Sequence, residues 1–520
     1  MSKKEKRLTI AVIILLLLLI GVSFAYFIAQ TKDEANIDVN LISDKLDNLT
    51  YVVDKDINLF VNQFNLASGE DNVADTSTAT VSFIANQTSK SAEAYYNIYF
   101  YIESNPYIYT TEDKKAEIIL NIYDVNNNEV TSIEGLDYVS AENANGETIN
   151  GFDITEKAGL YTVSLNTKIT SNSSITATKQ TWKVKLTFVN LTSNQVANEN
   201  KKLTARMILN DKTYKTKITE VCQNGDNLAN CIIALSDGSE PIATNIYHHD
   251  GTLENGINDG SYRYAGPSSI VNNFVCFGSD VSPCPEDNLY RIIGVIDGKV
   301  KLIKYDYATS DLLGTNGSYA SKILTKNYSS TYKGSMESVS GLYLNTLTHN
   351  NKWEESNLNK VNLNTNFLNN IGNEWSNKIA TITWKVGGNS YTNIAGSISS
   401  VVYQNEIVNP AMTTTYDAKI GLIYASDYGF AISPNKLTER MNNFDAFVYD
   451  NWMYMGIHEW TIVSCTDKSN YSFIVALSGK IGSTIVDQIP LNAVRPVFCL
   501  ENSIIYLSGS GTQFDPIIIE

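Results

Sequence analysis

A chain of 520 residues exceeds what one ordinary hydrophobic core can organise, so two or more domains are expected. Hydrophobic residues make up 43% of the chain, which favours folded domains over disorder. The formal net charge of −16 would repel phosphates, so no nucleic acid is expected among the partners.

The chain begins with a predicted transmembrane helix at residues 8–29. This stretch is free of charged residues, and the cytoplasmic basic flank before it, residues 1–7, contains Lys3, Lys4, Lys6 and Arg7. At roughly 1.5 Å per helical residue the span reaches about 33 Å, enough to cross a hydrocarbon core of ~30 Å. Because short basic flanks resist translocation, we expect a single-pass protein of the cell membrane whose C-terminal bulk is extracellular.

The same stretch also fits a cleavable signal sequence. Ser23 and Ala25 place small residues three and one before a cut that would follow Ala25. Tyr26 and Phe27 extend the apolar run beyond that cut, and aromatic residues at a membrane interface favour an uncleaved anchor. Cleavage would instead give a secreted chain.

Residues 35–215 are predicted to form a β-sandwich or jelly-roll domain. Apolar and polar residues alternate over 161–169 and 182–188, so one side of each strand is expected in a core and the other in water. Strands joined by connections rich in Asn, Ser, Asp and Gly favour two packed antiparallel sheets. The other predicted strands cover residues 79–84, 95–102, 116–125 and 203–209.

One segment of this domain has the spacing of a calcium loop. Asp124, Asn126 and Asn128 stand at its first, third and fifth positions, but the sixth, which should be glycine, is Glu129. Asn residues tolerate left-handed backbone, so a turn between two strands is the preferred interpretation.

The sequence GVSFAYF at residues 21–27, followed by this pattern of strands, resembles the camelysin and biofilm-matrix-fibre family of Gram-positive bacteria. Those proteins have a signal that ends in a similar Phe-Ala-Tyr-Phe, followed by a jelly-roll domain. The resemblance covers the chain up to the end of the predicted β-sandwich. It implies a role at the cell surface or in the matrix, with self-association through strand exchange.

Residues 216–245 are predicted to be a linker that carries a short helix at 227–235. All six cysteines lie after residue 220, and an even number outside a membrane favours disulfides. Zinc, the alternative, would need CxxC-type spacings, which the sequence lacks. Close spacing favours the pairs Cys222–Cys231, Cys276–Cys284 and Cys465–Cys499.

Residues 246–520 are predicted to form an α+β domain with many irregular loops. Asp297-Gly298 is a two-residue hairpin signal between strands at 290–296 and 299–303. Further strands are predicted at 420–425, 473–477 and 494–500, and helices at 365–371 and 436–442.

Five segments of this domain resemble an uncharacterised group of surface proteins from gut Firmicutes: YRYAG at 262–266, DNLYRIIG at 287–294, EWTI at 459–462, AVRPVF at 493–498 and GSGTQFDP at 509–516. The Trp-rich segment followed by the Arg-Pro strand is also similar to C-type-lectin-like domains of the formylglycine-generating-enzyme type. That similarity implies a scaffold whose loops vary for recognition. The cysteine pair of the oxidases is missing near the C-terminal core, as are the Glu-Pro-Asn and Gln-Pro-Asp triplets of sugar-binding members. Neither chemistry is therefore expected.

Aromatic side chains are the candidate ligand-binding residues of this C-type-lectin-like domain. Trp452, Tyr454 and Trp460 lie close in sequence, and their large rigid rings would stack on sugar rings or anchor a protein partner. The alternative is that they fill the core. Arg495, in an apolar strand, is expected to make a buried structural ion pair.

The histidines do not predict a metal site. His248, His249 and Asp250 are adjacent, but neighbouring side chains on a strand point to opposite faces, so a polar turn is the preferred interpretation. His458 lacks a second histidine four residues away and is assigned no role. No metal and no cofactor is predicted.

Motifs of nucleophile elbows, phosphate loops and dinucleotide-binding folds are absent from the sequence, so a non-catalytic function is expected. The leading hypothesis is an adhesin-like, membrane-anchored extracellular protein that binds a glycan or a protein through residues 246–520. The alternative is a secreted matrix or fibre subunit that assembles through the β-sandwich domain. A glycan-cleaving enzyme, the third hypothesis, would need a pair of essential carboxylates that the sequence does not single out.

Overall fold

The computed structural model describes residues 49–62, 72–85, 92–172, 175–320, 342–487 and 492–520. The chain divides into two compact units, with the boundary between Thr213 and Tyr214. The predicted basic flank 1–7 and transmembrane helix 8–29 lie outside the described residues. Within the described residues, no helix is both long and apolar enough to cross a membrane.

The first unit is built from antiparallel β-strands. Its described strands are β1 (Leu49–Val53), β2 (Ile57–Val61), β3 (Val73–Phe83), β4 (Ala92–Ser104), β5 (Ile118–Tyr123), β6 (Asp137–Glu142), β7 (Thr148–Asp153), β8 (Gly159–Ser171), β9 (Thr178–Phe188) and β10 (Lys201–Asn210), with a 3-10 turn at Val196–Asn198. They form one sheet in the order β1-β3-β9-β5-β7-β6 and another in the order β2-β10-β4-β8.

The two sheets of the first unit pack against each other through an apolar core. In β2, Ile57, Leu59 and Val61 are fully buried, whereas Asn58 and Phe60 are exposed. Burying one such aliphatic side chain contributes roughly 1.5–3 kcal/mol. Period-two alternation therefore produces the two-layer arrangement, which fits the predicted β-sandwich.

The suspected calcium segment of the first unit is a turn that leaves β5. A side-chain oxygen of Asp124 accepts hydrogen bonds from the backbone N–H groups of Asn126 and Asn128, each at 2.8 Å. Asn127 has a left-handed backbone with φ 63. The interpretation of this segment as a turn is confirmed.

The second unit combines small sheets with short helices. Its described strands are β11 (Ile246–His248), β12 (Tyr262–Tyr264), β13 (Phe274–Cys276), β14 (Leu289–Ile296), β15 (Lys299–Lys304), β16 (Ile382–Lys385), β17 (Thr415–Ala418), β18 (Ile420–Gly421), β19 (Glu459–Ser464), β20 (Tyr471–Val475), β21 (Ile481–Ile485), β22 (Val497–Cys499), β23 (Tyr506–Ser508) and β24 (Ile518–Ile519). The largest sheet has the order β11-β12-β14-β15-β22-β18, with β13 also paired to β14, and β19-β20-β21 form a separate sheet. The pairs β16-β17 and β23-β24 stand apart from both.

The helices of the second unit are short. The α-helices are α1 (Leu228–Asp237), α2 (Pro241–Thr244), α3 (Ser310–Leu313), α4 (Leu368–Asn370), α5 (Gly372–Asn377), α6 (Tyr391–Ile394), α7 (Ser399–Tyr403) and α8 (Ala425–Phe430). The π-helices are Leu358–Phe367 and Gln404–Val408, and the 3-10 turns are Ile218–Glu220, Glu286–Asn288, Trp353–Glu355, Pro434–Lys436, Met441–Ala446 and Val448–Asp450.

The predicted hairpin in the second unit is confirmed. β14 and β15 pair in antiparallel register, with Ile296 opposite Lys299. Asp297 and Gly298 between them have φ 50 and φ 73, as a two-residue turn of this type requires. This hairpin lies at the centre of the largest sheet.

The predicted linker and two predicted elements differ from the structure. Residues 216–245 belong to the second unit, because Leu228 and Ile232 of α1 are fully buried in its core. The predicted helix at 436–442 is two separate 3-10 turns. The predicted strand at 420–425 stops at Gly421, and α8 begins at Ala425, where a carboxylate oxygen of Asp427 accepts the Tyr424 N–H at 3.2 Å.

Two of the three predicted disulfides are present. Cys222–Cys231 and Cys276–Cys284 have Cα–Cα distances of 5.6 and 5.9 Å. The prediction of a Cys465–Cys499 bond is wrong, because both are buried free cysteines. Cys465 follows β19 in the three-stranded sheet, whereas Cys499 lies opposite Lys301 in the largest sheet. Cys465 and Cys499 are therefore associated with different sheets, although they are close in sequence.

Candidate ligand-binding site

A surface pocket of the second unit lies beside the turn that joins β20 to β21. Its walls are Asp445, Tyr454, His458, residues 476–478 and Lys480. The cavity has a volume of about 640 Å³ and is open to solvent. Its lining comes from three separate parts of the sequence, which the fold brings together.

The turn at residues 476–480, here called the pocket turn, is closed by its own backbone. The Ala476 N–H donates to the carbonyl of Lys480 at 2.8 Å, and the Gly479 N–H donates to the carbonyl of Ala476 at 2.8 Å. Gly479 has φ +92, and a Cβ there would lie 2.3 Å from Cγ1 of Val448. Glycine is therefore required at this position.

Three side chains beneath the pocket turn hold it in place. The Tyr428 hydroxyl donates to the carbonyl of Gly479 at 2.6 Å, and the Tyr454 hydroxyl donates to the carbonyl of Leu477 at 2.7 Å. The Leu477 N–H donates to Nδ1 of His458 at 3.2 Å. A loop fixed in this way loses little conformational freedom when a ligand binds.

The rim of the pocket carries polar groups that are free to contact a ligand. Asp445, Ser478 and Lys480 are exposed. Within the described residues, none of these three side chains makes a hydrogen bond or an ion pair. A carboxylate, a hydroxyl and an ammonium group therefore face solvent around the Tyr454 ring.

Of the three predicted ligand-binding aromatics, one lines this pocket. Tyr454 is 6% exposed, and burial raises its pKa to about 12, so its hydroxyl stays a hydrogen-bond donor at neutral pH. Trp452 and Trp460 are 1% and 0% exposed, and their indole N–H groups donate to the carbonyls of Tyr264 and Tyr343 at 2.7 and 2.8 Å. These two tryptophans fill the core, as the alternative interpretation expected, and cannot stack on a ligand in this fold.

The predicted ion pair of Arg495 is present and is buried. Its guanidinium donates to both carboxylate oxygens of Glu459, at 2.7 and 2.6 Å, and both side chains are 1% exposed. It also donates to the carbonyl of Met453 at 2.8 Å. Since Met453 and Glu459 adjoin Tyr454 and His458 in the chain, this ion pair positions two walls of the pocket.

A second polar cluster of the unit is buried and is here called the buried charge centre. It consists of Asp427, Arg263, Lys301 and Glu406. The carboxylate of Asp427 accepts from Arg263 at 3.0 Å and from Lys301 at 2.5 Å. Burial opposes ionisation, but these two cations hold the pKa of Asp427 below its ordinary value. Glu406 accepts the N–H groups of Ala425 and Ser426, both at 2.9 Å, and burial raises its pKa to about 7.

His248 and His249 contact different neighbours. The His248 ring stacks on Tyr262 with centroids 4.1 Å apart, whereas the His249 ring meets the edge of Phe430 at 4.8 Å. His249 is 2% exposed, and burial, followed by the charge of Arg263, lowers its pKa to about 3. The two rings therefore pack against different neighbours, and Nδ1 of His248 lies 3.3 Å from the carboxylate of Asp250.

One group in the described residues, Cys222, Asp226 and Cys231, brings possible metal ligands within 4.8 Å of one another. Its two sulfurs are joined in a disulfide and offer no thiolates.

No protein-family model matches the chain, and no curated protein matches it either.

The sequence did not single out Asp445, Ser478 or Lys480, and it gave His458 no role. The one available signal was Ser478-Gly479 after the predicted strand 473–477, which is typical of a turn. The sequence spacing does not connect that turn with Tyr454 and His458, which lie about 20 positions earlier and line the same pocket. The pocket becomes visible only when β19, β20 and β21 are assembled.

Proposed function

We propose that this chain is a non-catalytic, membrane-anchored surface protein that binds a glycan or a protein ligand outside the cell. The binding site is the pocket beside the pocket turn. The observation that carries the proposal is the set of uncommitted polar groups of Asp445, Ser478 and Lys480 around Tyr454, on a turn fixed by three side chains.

The groups of the pocket suit a polar, hydroxyl-bearing or charged ligand. A carboxylate accepts and an ammonium group donates, so hydroxyl groups of a sugar or side chains of a protein can bond to both. A hydrogen bond to a charged group contributes roughly 1.5–3 kcal/mol, and the fixed turn limits the entropy lost on binding. Resemblance to C-type-lectin-like domains supports the same role, because such scaffolds place recognition in their loops.

Binding arrays provide the test of this function. We expect the full chain, purified in detergent, to bind a subset of glycans or surface proteins with saturation and without turnover. Lys480→Met and Asp445→Asn should each weaken binding by roughly tenfold, the loss expected when one charge-assisted hydrogen bond is removed. Lys385→Met is the matched control, because Lys385 is exposed on β16 and is not part of the pocket.

The ligand would bind elsewhere if binding were saturable and equally strong in all three variants, Lys480→Met, Asp445→Asn and Lys385→Met. Turnover of a bound glycan would contradict the non-catalytic assignment. Absence of binding to every array would remove the support for an adhesin-like role.

A second candidate function, a secreted matrix or fibre subunit, is favoured by one strand of the first unit. β8 is the last strand of its sheet in the part of the chain that the structure describes, and Lys168 is its one charged residue. Such an edge can pair with a strand of another copy. A bulge opposes this pairing, since Asn166 has φ 53 and its N–H donates to the side-chain oxygen of Asn97 at 2.8 Å.

Sedimentation velocity separates this second function from the first. Assembly through β8 should grow with protein concentration and should fall when Leu165, which is 44% exposed on β8, is changed to Lys. A monomer at all concentrations would rule out the subunit hypothesis. Assembly that Leu165→Lys leaves unchanged would move the interface to another surface.

A further inference from the structure

We propose that His458 is a pH-responsive positioning residue of the pocket turn: its neutral ring holds the turn at neutral pH, and its protonated ring releases the turn in acid. The proposal deepens the function assigned to the pocket and rests on it for its biological consequence. Its physical basis is the contact between His458 and Leu477, which is independent of any ligand.

The hydrogen bond between His458 and Leu477 fixes the protonation state of the ring. The donor is the backbone N–H of Leu477, and Nδ1 lies 3.2 Å from it. A backbone N–H can only donate, so Nδ1 must be the unprotonated nitrogen and the ring proton must be on Nε2. In the protonated ring both nitrogens carry hydrogen, and two donors would then face each other.

Among the described residues that line the pocket, His458 carries the one imidazole. Asp445 and Lys480, of opposite charge, line the same cavity, and Tyr454 stays neutral because burial raises its pKa to about 12. On the other side, Glu459 is held in its ion pair with Arg495. An imidazole is the side chain in this set that ordinarily changes charge between about pH 5 and 8.

Protonation should loosen the pocket turn without unfolding the unit. The Tyr428 and Tyr454 hydroxyls donate to carbonyls of the turn, so their bonds do not depend on the charge of His458. Loss of the Leu477 bond frees the part of the turn next to Ser478 and Lys480. Removing one such hydrogen bond should increase local opening by roughly fivefold.

Hydrogen–deuterium exchange of the full chain tests the proposal directly. After correction for the intrinsic exchange rate, protection of the amides at 476–480 should fall roughly fivefold between pH 7.5 and pH 5 in the wild type. His458→Asn should remove this dependence, because its side-chain oxygen accepts the same N–H and does not titrate. His349→Asn is the control, since His349 is 63% exposed and bonds to Asp487 outside the pocket.

Equal loss of protection in the wild type and in His458→Asn would overturn the proposal, as would constant protection in the wild type. If His458→Asn does not fold, selective ¹⁵N labelling of histidine in the wild type decides the matter by NMR. A proton on Nδ1 of His458 at pH 7.5 would contradict the assignment. Negative binding arrays would count against the proposed function alone, because neither measurement uses a ligand.

Discussion

The first and second units bury different kinds of side chain. Among the described residues of the first unit, the buried carboxylate of Glu117 accepts hydrogen bonds from neutral groups, for example from the Thr110 N–H at 2.9 Å. In the second unit, two buried carboxylates bond to buried cations: Glu459 to Arg495, and Asp427 to Lys301. Apolar packing organises the first unit, and ion pairs fix particular positions in the second.

This difference has a consequence for stability. Burial of aliphatic side chains does not depend on protonation, whereas a buried charge is stable only while its partner is present and charged. The stability of the second unit should therefore depend on its individual buried charged and titratable groups, and that of the first should depend mainly on its apolar core.

Arg495→Met should destabilise the second unit by about 3–5 kcal/mol, because it leaves the buried carboxylate of Glu459 without its partner. Urea unfolding can be followed separately in each unit by hydrogen exchange of its peptides. The matched control is Arg206→Met in the first unit. Arg206 lies 3.7 Å from Glu103 at a partly exposed surface, so its loss should cost less than about 1 kcal/mol. Equal losses from the two substitutions would refute the contrast.

Leu59→Ala should destabilise the first unit by about 2–5 kcal/mol and leave the second unit unchanged. Leu59 is 0% exposed between the two sheets, so its truncation opens a cavity there. The measurement is the same urea titration at pH 5 and pH 7. Asn58→Ala, at the exposed neighbouring position of β2, is the control and should change little. A pH-dependent effect of Leu59→Ala would contradict the view that apolar packing dominates this unit.

The same contrast explains how much of the fold was predictable. The predicted strands at 161–169 and 182–188 fall inside β8 and β9, because alternation of apolar and polar residues is a local signal. In the second unit, the apolar run at 420–425 was predicted as a strand, but α8 begins at Ala425. The start of α8 is capped by a contact between the side chain of Asp427 and the Tyr424 backbone, and apolar periodicity does not reveal such a contact.

The candidate site was predictable in part. Tyr454 was among the predicted residues and does line the pocket. The prediction concerned its ring, whereas in the structure its hydroxyl also holds the pocket turn by donating to the carbonyl of Leu477. Trp452 and Trp460 resemble Tyr454 in sequence context, and only three-dimensional packing separates them from it. The role of His458 depends on its hydrogen bond with Leu477. His458 immediately precedes β19 and Leu477 follows β20, so the pairing of these two strands brings the residues together. Such a pairing follows from strand registry and not from any motif.

Glu406→Gln should remove a pH dependence from the stability of the second unit. Burial raises the pKa of Glu406 in the folded state to about 7, from an ordinary value of 4.5. The folded state therefore keeps a proton that the unfolded state releases, and this contribution to the unfolding free energy is lost as pH rises from about 4.5 to 7. The slope should be at most about 1.4 kcal/mol per pH unit. Urea unfolding of the wild type and Glu406→Gln across this range provides the measurement, with identical slopes as the contradicting outcome.

His249→Gln should remove a pH dependence of the opposite sign. Burial and the charge of Arg263 lower the pKa of His249 to about 3, from an ordinary value of 6.5, so its contribution to stability is present above pH 6.5 and is lost as pH falls toward 3. Between about pH 4.5 and 6.5 this loss offsets the gain from Glu406, and the wild-type second unit should vary little with pH. Glu406→Gln should then reveal destabilisation on acidification, which His249→Gln in the same chain should abolish. Acid sensitivity that persists in the double variant would assign the proton uptake to another buried group and would weaken the role given to the buried charge centre.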